Sequence, residues 1–188
     1  MDSLGDRMKR YGSAQKAYLT RGVPMMVHLD GKAFHTFTKA FERPWDARFN
    51  KSMWQAGLAL CEQIQGVYIQ SDEIPLLLYD CGKPQTDPWF GGQVQKIVSV
   101  ASSICTGGFI KGLMQNDVEL GETLPSFDAR AWFIPEHEVA NAFLWHQQDA
   151  TRNSTNSLAQ SMFPGKALHG RNISQTQDML MEMGGQLE

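Results

Sequence analysis

Two short acidic motifs stand where apolar segments end: Asp30-Gly31 after MMVHL (25–29), and Ser71-Asp72-Glu73 between GVYIQ (66–70) and IPLLLYD (74–80). The second is an odd sequence for a tight hairpin, because two-residue turns favour Asn-Gly or Asp-Gly, whose backbones accept positive φ. Carboxylates spent at such positions point to metal chemistry. Magnesium commonly takes one or two protein carboxylates and fills its other positions with water and substrate phosphates, so Asp30 and Asp72 are a sufficient pair. Gly31 suits the same reading, since a residue without Cβ lets a phosphate or metal come close to the backbone. Glu73 is a further candidate, to orient the turn or a ligand water. Taken singly, Asp-Gly is an ordinary turn and Ser-Asp-Glu an ordinary solvated hairpin tip. Together, each beside an apolar strand, they read as one metal site.

Cations that can meet phosphate oxygens include Lys32, Lys39, Arg43 and Lys96. Of these, only Lys96 sits on a helix whose opposite side is committed to a core. His28 lies on a strand and His35 just after the site, while His137, His146 and His169 show no metal-ligand spacing with cysteine or with each other, so no histidine-based catalyst is expected. No G-x-S-x-G, P-loop or G-x-G-x-x-G occurs, which removes three common enzyme classes.

The elements that must hold these residues follow from periodicity. The first eighteen or so residues can form a helix that Gly22 and Pro24 would end. Residues 25–31 read as a short buried strand. From Asp46, a good N-cap, Phe49, Met53, Ala56 and Leu60 recur at helical spacing up to about Gly66. The stretch 66–80 reads as two strands, with Pro75 marking a free edge or an unpaired position near the start of the second. After the turn-rich CGKPQTDP (81–88), Val94, Ile97, Val98, Ala101, Ile104 and Cys105 make a helical face, with Gly107-Gly108 as a stop or bend. A strand at 127–134 and a helix opening at Pro135 complete the set, followed by a polar tail. The inner order β-α-β-β-α-β is that of the ferredoxin-like unit, so the expected class is α+β, an antiparallel sheet with helices on one face. In that topology Asp30 and Asp72 can meet at one sheet edge.

Composition bounds the rest. A chain of 188 residues, 42% hydrophobic and 20% charged, suits one domain with a proper core rather than a disordered or coiled-coil protein. No run of eighteen apolar residues and no signal-like N-terminus is present, so a soluble cytoplasmic protein without membrane association is expected. Cys61, Cys81 and Cys105, three thiols without C-x-x-C spacing, fit a reducing compartment and structural roles. A net charge of −3 disfavours a protein that coats nucleic acid by bulk charge, while leaving room for a local basic patch.

Four ordered segments, HLDGKAFH (28–35), QSDE (70–73), FDAR (127–130) and DATRNSTNSLAQ (149–160), resemble the tRNA(His) guanylyltransferase family, and more closely its like-protein branch of 3′ to 5′ RNA polymerases. The likeness extends from LGDRMKRY (4–11) through PWFGGQVQKIVSVAS (88–102) to about residue 180. It implies a single polymerase-type palm over 1–188, with a core at about 20–150 and a helical or polar C-terminal segment, 151–188, shorter than in the family. The implied activity adds nucleotides to the 5′ end of tRNA in the 3′ to 5′ direction, as 5′-end repair or as tRNA(His) guanylylation. The resemblance puts two Mg²⁺ ions on Asp30 and Asp72 with the Gly31 backbone as accessory ligand, and a nucleotide-binding loop on Asp30, Gly31, Lys32, Ala33, Phe34 and His35 together with Ser71 and Asp72. Lys96 and Arg43 would meet phosphate oxygens, and Asn153 and Ser154 are further candidates. ATP would activate a 5′-monophosphate, and the 3′-hydroxyl of GTP or another nucleoside triphosphate would then attack. A homotetramer is implied as well. Two departures stand out: Thr151 occupies a position that is His in the eukaryotic enzymes, which favours the like-protein branch and repair of 5′-truncated tRNA, and Gly92-Gln93 replaces a basic pair. A palm-type nucleotide cyclase and a non-catalytic tRNA-binding remnant are the alternative readings; a cyclase hairpin is typically glycine-rich, and a remnant need not keep both aspartates.

Overall fold

The computed structural model describes residues 3–64, 66–79 and 86–184. The central strand β1 (Met25–Gly31) pairs antiparallel with β2 (Glu73–Leu78) on one side and β3 (Phe127–Phe133) on the other, giving the order β2-β1-β3 in an α+β protein. Strand side chains alternate between faces. Met25, Val27 and Leu29 therefore enter the main core, while His28 and Asp30 take the opposite face.

The chain at 67–70 does not become the full strand expected of it. It touches β2 through isolated bridges of Val67 with Leu76 and Gln70 with Glu73, and the Tyr68 N–H donates to the Pro75 carbonyl at 3.2 Å. Proline brings no N–H of its own, so this side of β2 lacks one donor of a regular ladder.

The core face of the sheet is covered by α3 (Ala47–Cys61) and α4 (Val94–Gln115), after the shorter α1 (Leu4–Ser13) and α2 (Phe34–Phe37). Asp46 starts α3: its Oδ1 accepts from the Arg48 N–H at 2.8 Å and its Oδ2 from the Glu42 N–H at 3.0 Å. That helix stops before Gly66, because the chain turns after Cys61 and sends Ile64 into the core. In α4 the buried positions Ile97, Ala101, Cys105, Phe109 and Leu113 recur every fourth residue. The helix runs through Gly107-Gly108 without the expected stop. A Cβ on Gly108 would lie 2.9 Å from Ala56 Cα, and one on Gly112 would lie 2.5 Å from Ser52 Cα. These glycines are spacers that let α3 and α4 approach closely. By length and composition α4 is apolar enough to cross a membrane, but its buried face is committed to α3 and the sheet.

The N-terminal helix also ends early, at Ser13. Beyond it the chain pairs with the segment that leads into α4: the Leu19 N–H donates to Gly92 O at 2.8 Å and the Val94 N–H to Ala17 O at 3.0 Å. Gly92 has φ +77°, and a Cβ there would sit 2.7 Å from the Leu19 carbonyl oxygen, so this crossing needs glycine.

After a 3-10 turn behind Pro135, α5 (Val139–Met162) passes to the face of the sheet that α3 and α4 leave open, where His146 stacks on His28. The helices are therefore not all on one face, as the topology alone led us to expect. The small α6 (Gly165–Leu168) and α7 (Ile173–Glu182) follow, and α7 packs on α5. Cys105 is buried, and burial pushes its thiol far above the usual range. Cys61 is exposed, which removes the structural role expected for it, and Cys81 lies outside the described residues.

Candidate active site

The end of β1 is tied to the 70–73 turn. The Gly31 N–H donates to the Asp72 carbonyl at 3.1 Å, while Gln70 and Glu73 exchange N–H to O bonds of 2.9 and 2.8 Å that close the turn. The positive φ that a tight turn requires falls on Ser71, at +52°. Its hydroxyl donates to Asp72 Oδ1 at 3.0 Å. In register, Asp30 lies directly opposite Glu73 on one neighbouring strand and Asp128 on the other. Residues directly opposite share a face, so β1, β2 and β3 each bring one carboxylate to a common patch, with Asp72 adjoining it.

Among the described residues neither Asp30 nor Asp72 forms an ion pair with lysine or arginine. Burial raises the Asp30 carboxyl above its ordinary range, and the charges of Asp72, Glu73 and Asp128 raise it further. Burial raises Asp72 as well, against the lowering effect of the Ser71 hydroxyl. Unpaired, mutually repelling carboxylates offer an all-oxygen donor set, and that set fits Mg²⁺.

Glu73 belongs to a different arrangement. Its Oε2 is 3.4 Å from His28 Nε2 and 3.6 Å from His146 Nδ1, and these imidazoles hold its carboxyl below the ordinary range, His28 foremost. His146 is itself pushed down, by burial first and then by His28.

The loop after β1 is built around one aromatic anchor. Phe34 is buried against Phe37, Phe49, Phe109 and Phe127, with ring centroids 4.9 to 6.2 Å away. A Cβ on Gly31 would fall 2.4 Å from the Phe34 ring. Glycine is thus required here by the packing underneath, in addition to any approach to its backbone, and the Phe34 side chain belongs to the core. Lys32, Ala33 and His35 are exposed, the Lys32 N–H donates to Ser126 O at 2.9 Å, and Ala33 takes φ +55°. Left-handed non-glycine residues are costly and tend to collect at functional sites. Ala33 and Ser71 stand on either side of the carboxylates.

The other expected phosphate contacts are not gathered here. Arg43 is exposed and unpaired among the described residues. Lys96 is exposed on the first turn of α4, whereas Thr106, whose hydroxyl accepts from the Phe127 N–H at 3.2 Å, marks the level of the site on that helix. Ten residues of helix separate the two, about 15 Å. Asn153 and Ser154 bond within α5, to Asp149 Oδ2 at 2.8 Å and Thr151 O at 3.1 Å. Sequence reasoning overlooked Asp128 and set His28 and His146 aside. Asp128, the second residue of FDAR, and His28, two residues before Asp30 and so on its face, both had a period-two signal; His146 had none.

The model of the family described as tRNAHis guanylyltransferase matches residues 5–135. Among curated proteins, an uncharacterized protein of Acanthamoeba polyphaga mimivirus is 29% identical over 86% of this chain and 64% of its own length. A tRNA(His) guanylyltransferase of Schizosaccharomyces pombe is 31% identical over 69% of this chain and 50% of its own length. The chain thus spans about half to two thirds of the length of these relatives. Among solved structures, a bacterial tRNA(His) guanylyltransferase-like protein in complex with ATP is 41% identical, with a TM-score of 0.88 over 95% of this chain and 79% of its own. Its GTP complex aligns with a TM-score of 0.79 over 85% of this chain and 76% of that one.

Proposed function

The chain belongs to the tRNA(His) guanylyltransferase family, and from that membership we propose that it is a nucleotidyltransferase that adds nucleotides to the 5′ end of tRNA in the 3′ to 5′ direction. The observation that carries the proposal is the meeting of Asp30 and Asp72, joined through the Gly31 N–H and left without cationic partners. The bacterial like-protein, 41% identical, is described in complex with ATP and with GTP, which supports nucleoside triphosphates as substrates here. The order β2-β1-β3, with the chain at 67–70 along the outer side of β2, supports reading the sheet as a polymerase-type palm.

Asp30 and Asp72 would hold Mg²⁺, two ions on the two-metal reading, with the Gly31 backbone as a further oxygen donor. Bound there, Mg²⁺ would reduce the charge on the phosphates and favour the ionised form of an attacking 3′-hydroxyl. The protein's own part is positioning. Phe34 fixes the 30–35 loop from below, the Gly31–Asp72 hydrogen bond sets the spacing of the two aspartates, and Ser71 orients Asp72. The 5′-monophosphate would take an adenylyl group from ATP with release of pyrophosphate, and the 3′-hydroxyl of an incoming nucleotide would then attack the tRNA 5′ phosphorus, breaking the new phosphoanhydride and releasing AMP. A 5′-truncated tRNA is the substrate, and the active form is a homotetramer.

The test is Mg²⁺-dependent incorporation of a labelled nucleotide at the 5′ end of a 5′-truncated tRNA. Asp72→Ala should abolish it. Full activity in that variant, a cyclic nucleotide formed from triphosphates alone, or tRNA binding with no triphosphate consumed would each refute the proposal.

A further inference from the structure

Beside the aspartate pair lies a cluster suited to a different cation. His28 on β1, Glu73 on β2 and His146 on α5 bring three donor atoms within 4.8 Å of one another. The two nitrogens stand 3.4 and 3.6 Å from the same carboxylate oxygen. A tetrahedral ion with bonds of about 2.0–2.1 Å keeps its ligand atoms about 3.3 Å apart, so each nitrogen already stands near that spacing from the Glu73 oxygen.

A second observation is independent of spacing. His28 Nε2 and His146 Nδ1 are buried and make no hydrogen bond of normal geometry, the Glu73 oxygen lying 3.4 and 3.6 Å away, and His146 as a whole is only 4% exposed. Buried polar atoms left unpaired are rare and costly in native proteins. An ion bound to both nitrogens would remove that cost.

We propose that His28, Glu73 and His146 form a binding site for one divalent transition-metal ion of the zinc class, distinct from the Mg²⁺ site on Asp30 and Asp72. Two imidazoles and one carboxylate select borderline ions, whereas Mg²⁺ keeps to oxygen donors. The imidazole rings are nearly parallel, 18° apart with centroids at 5.2 Å. Two donors on parallel rings reach one ion only after a ring turns about χ2, and that torsion is broad. The ion would tie α5 to the sheet at the point where His146 meets it, near the only other aromatic contact between α5 and the β2 side among the described residues, Phe143 against Tyr68 at 6.1 Å. Since Glu73 follows Asp72 and faces Asp30, it would also draw Glu73 away from the magnesium ligands.

The experiment is titration of the chelator-treated full chain with Co²⁺, a coloured stand-in for zinc, followed by visible absorption and equilibrium dialysis. One Co²⁺ per chain with ligand-field bands is expected, and the same bands in an Asp30→Asn, Asp72→Asn double variant. His146→Gln and, separately, His28→Gln should each weaken this binding at least about tenfold, as loss of a ligand does in other sites. Far-ultraviolet circular dichroism identifies whichever variant has folded. Zn²⁺ should raise the Tm of the wild type and leave that of the folded His variant unmoved. Absence of bands in the wild type, bands unchanged in a folded His variant, or bands lost in the aspartate double variant alone would overturn the site. The readout uses no tRNA and no nucleotide, so it fails or holds independently of the proposed activity.

Discussion

Replacing Asp30 by asparagine should make the metal-free protein more stable while removing its activity. Asp30 faces Glu73 and Asp128 directly across two strand pairs, and Asp72 adjoins it. A like-charge pair directly opposite in a sheet is unfavourable by about 0.2–1 kcal/mol, so relief of two such pairs is worth about 0.5–2 kcal/mol. For a domain of this size that corresponds to a rise in Tm of about 1–8 °C. The sign of the pH dependence follows from the raised Asp30 carboxyl. A carboxyl that binds its proton more tightly in the folded state penalises folding above its folded pKa, and the penalty vanishes below its unfolded value of about 3.9. The advantage of Asp30→Asn should therefore be complete at pH 7 and gone at about pH 3.5. If Asp30 and Asp72 hold Mg²⁺ as proposed, the ion should narrow the gap at pH 7 by stabilising the native wild type more than the variant. Thermal unfolding in chelator, in Mg²⁺ and at the two pH values reads all of this. An Asp30→Asn protein no more stable than wild type at pH 7 in chelator, or one whose advantage persists at pH 3.5, would refute the electrostatic account of the patch.

Two glycines of one helix should respond in opposite directions. Gly107→Ala adds a methyl to open space and should stabilise by about 0.5–1 kcal/mol through helix propensity, whereas Gly112→Ala drives a Cβ to 2.5 Å from Ser52 Cα and should destabilise by about 1–3 kcal/mol in urea unfolding. Asp46→Ala removes the α3 cap and the partner of the Arg48 guanidinium, which holds the Asp46 carboxyl far below the usual range. It should cost about 1–3 kcal/mol at pH 7. Because a lowered carboxyl stabilises only above its unfolded pKa, and that contribution is lost as pH falls through the folded value, wild type and variant should converge in acid. Ala33→Gly relieves a left-handed residue, and a gain of about 1 kcal/mol in the same unfolding assay is expected.

Much of the sheet could be read from the chain because each strand is a short run rich in apolar residues, and β1 and β2 carry acidic residues at the ends that meet, Asp30 and Glu73. Asp30, Asp72 and Glu73 are legible in this way, as acidic residues placed where apolar runs end or begin. What escaped notice depended on distant partners. Gly107-Gly108 looks like a helix stop until α3 is seen to lie against Gly108. Gly31 has the flexibility of a turn in sequence, yet its real constraint is the ring of Phe34. The segment at 67–70 has strand composition but meets a proline that cannot complete its ladder. His28 and His146 are 118 positions apart, and no local spacing rule could pair them before α5 was placed across the sheet.

The close seam between α3 and α4 has a consequence for how this sequence can vary. Ser52 with Gly112, and Ala56 and Ala59 with Gly108, occupy each other's space at 2.5 to 3.0 Å from any added Cβ. Changes on the two helices cannot then be independent: a side chain added at Gly108 or Gly112 meets the backbone at Ala56 Cα, Gln55 O or Ser52 Cα and finds room only where the helices move apart, which every other pair along the seam then feels. Double substitutions across the seam should show interaction energies of about 0.5–3 kcal/mol, and tolerated sequences at these positions should change together.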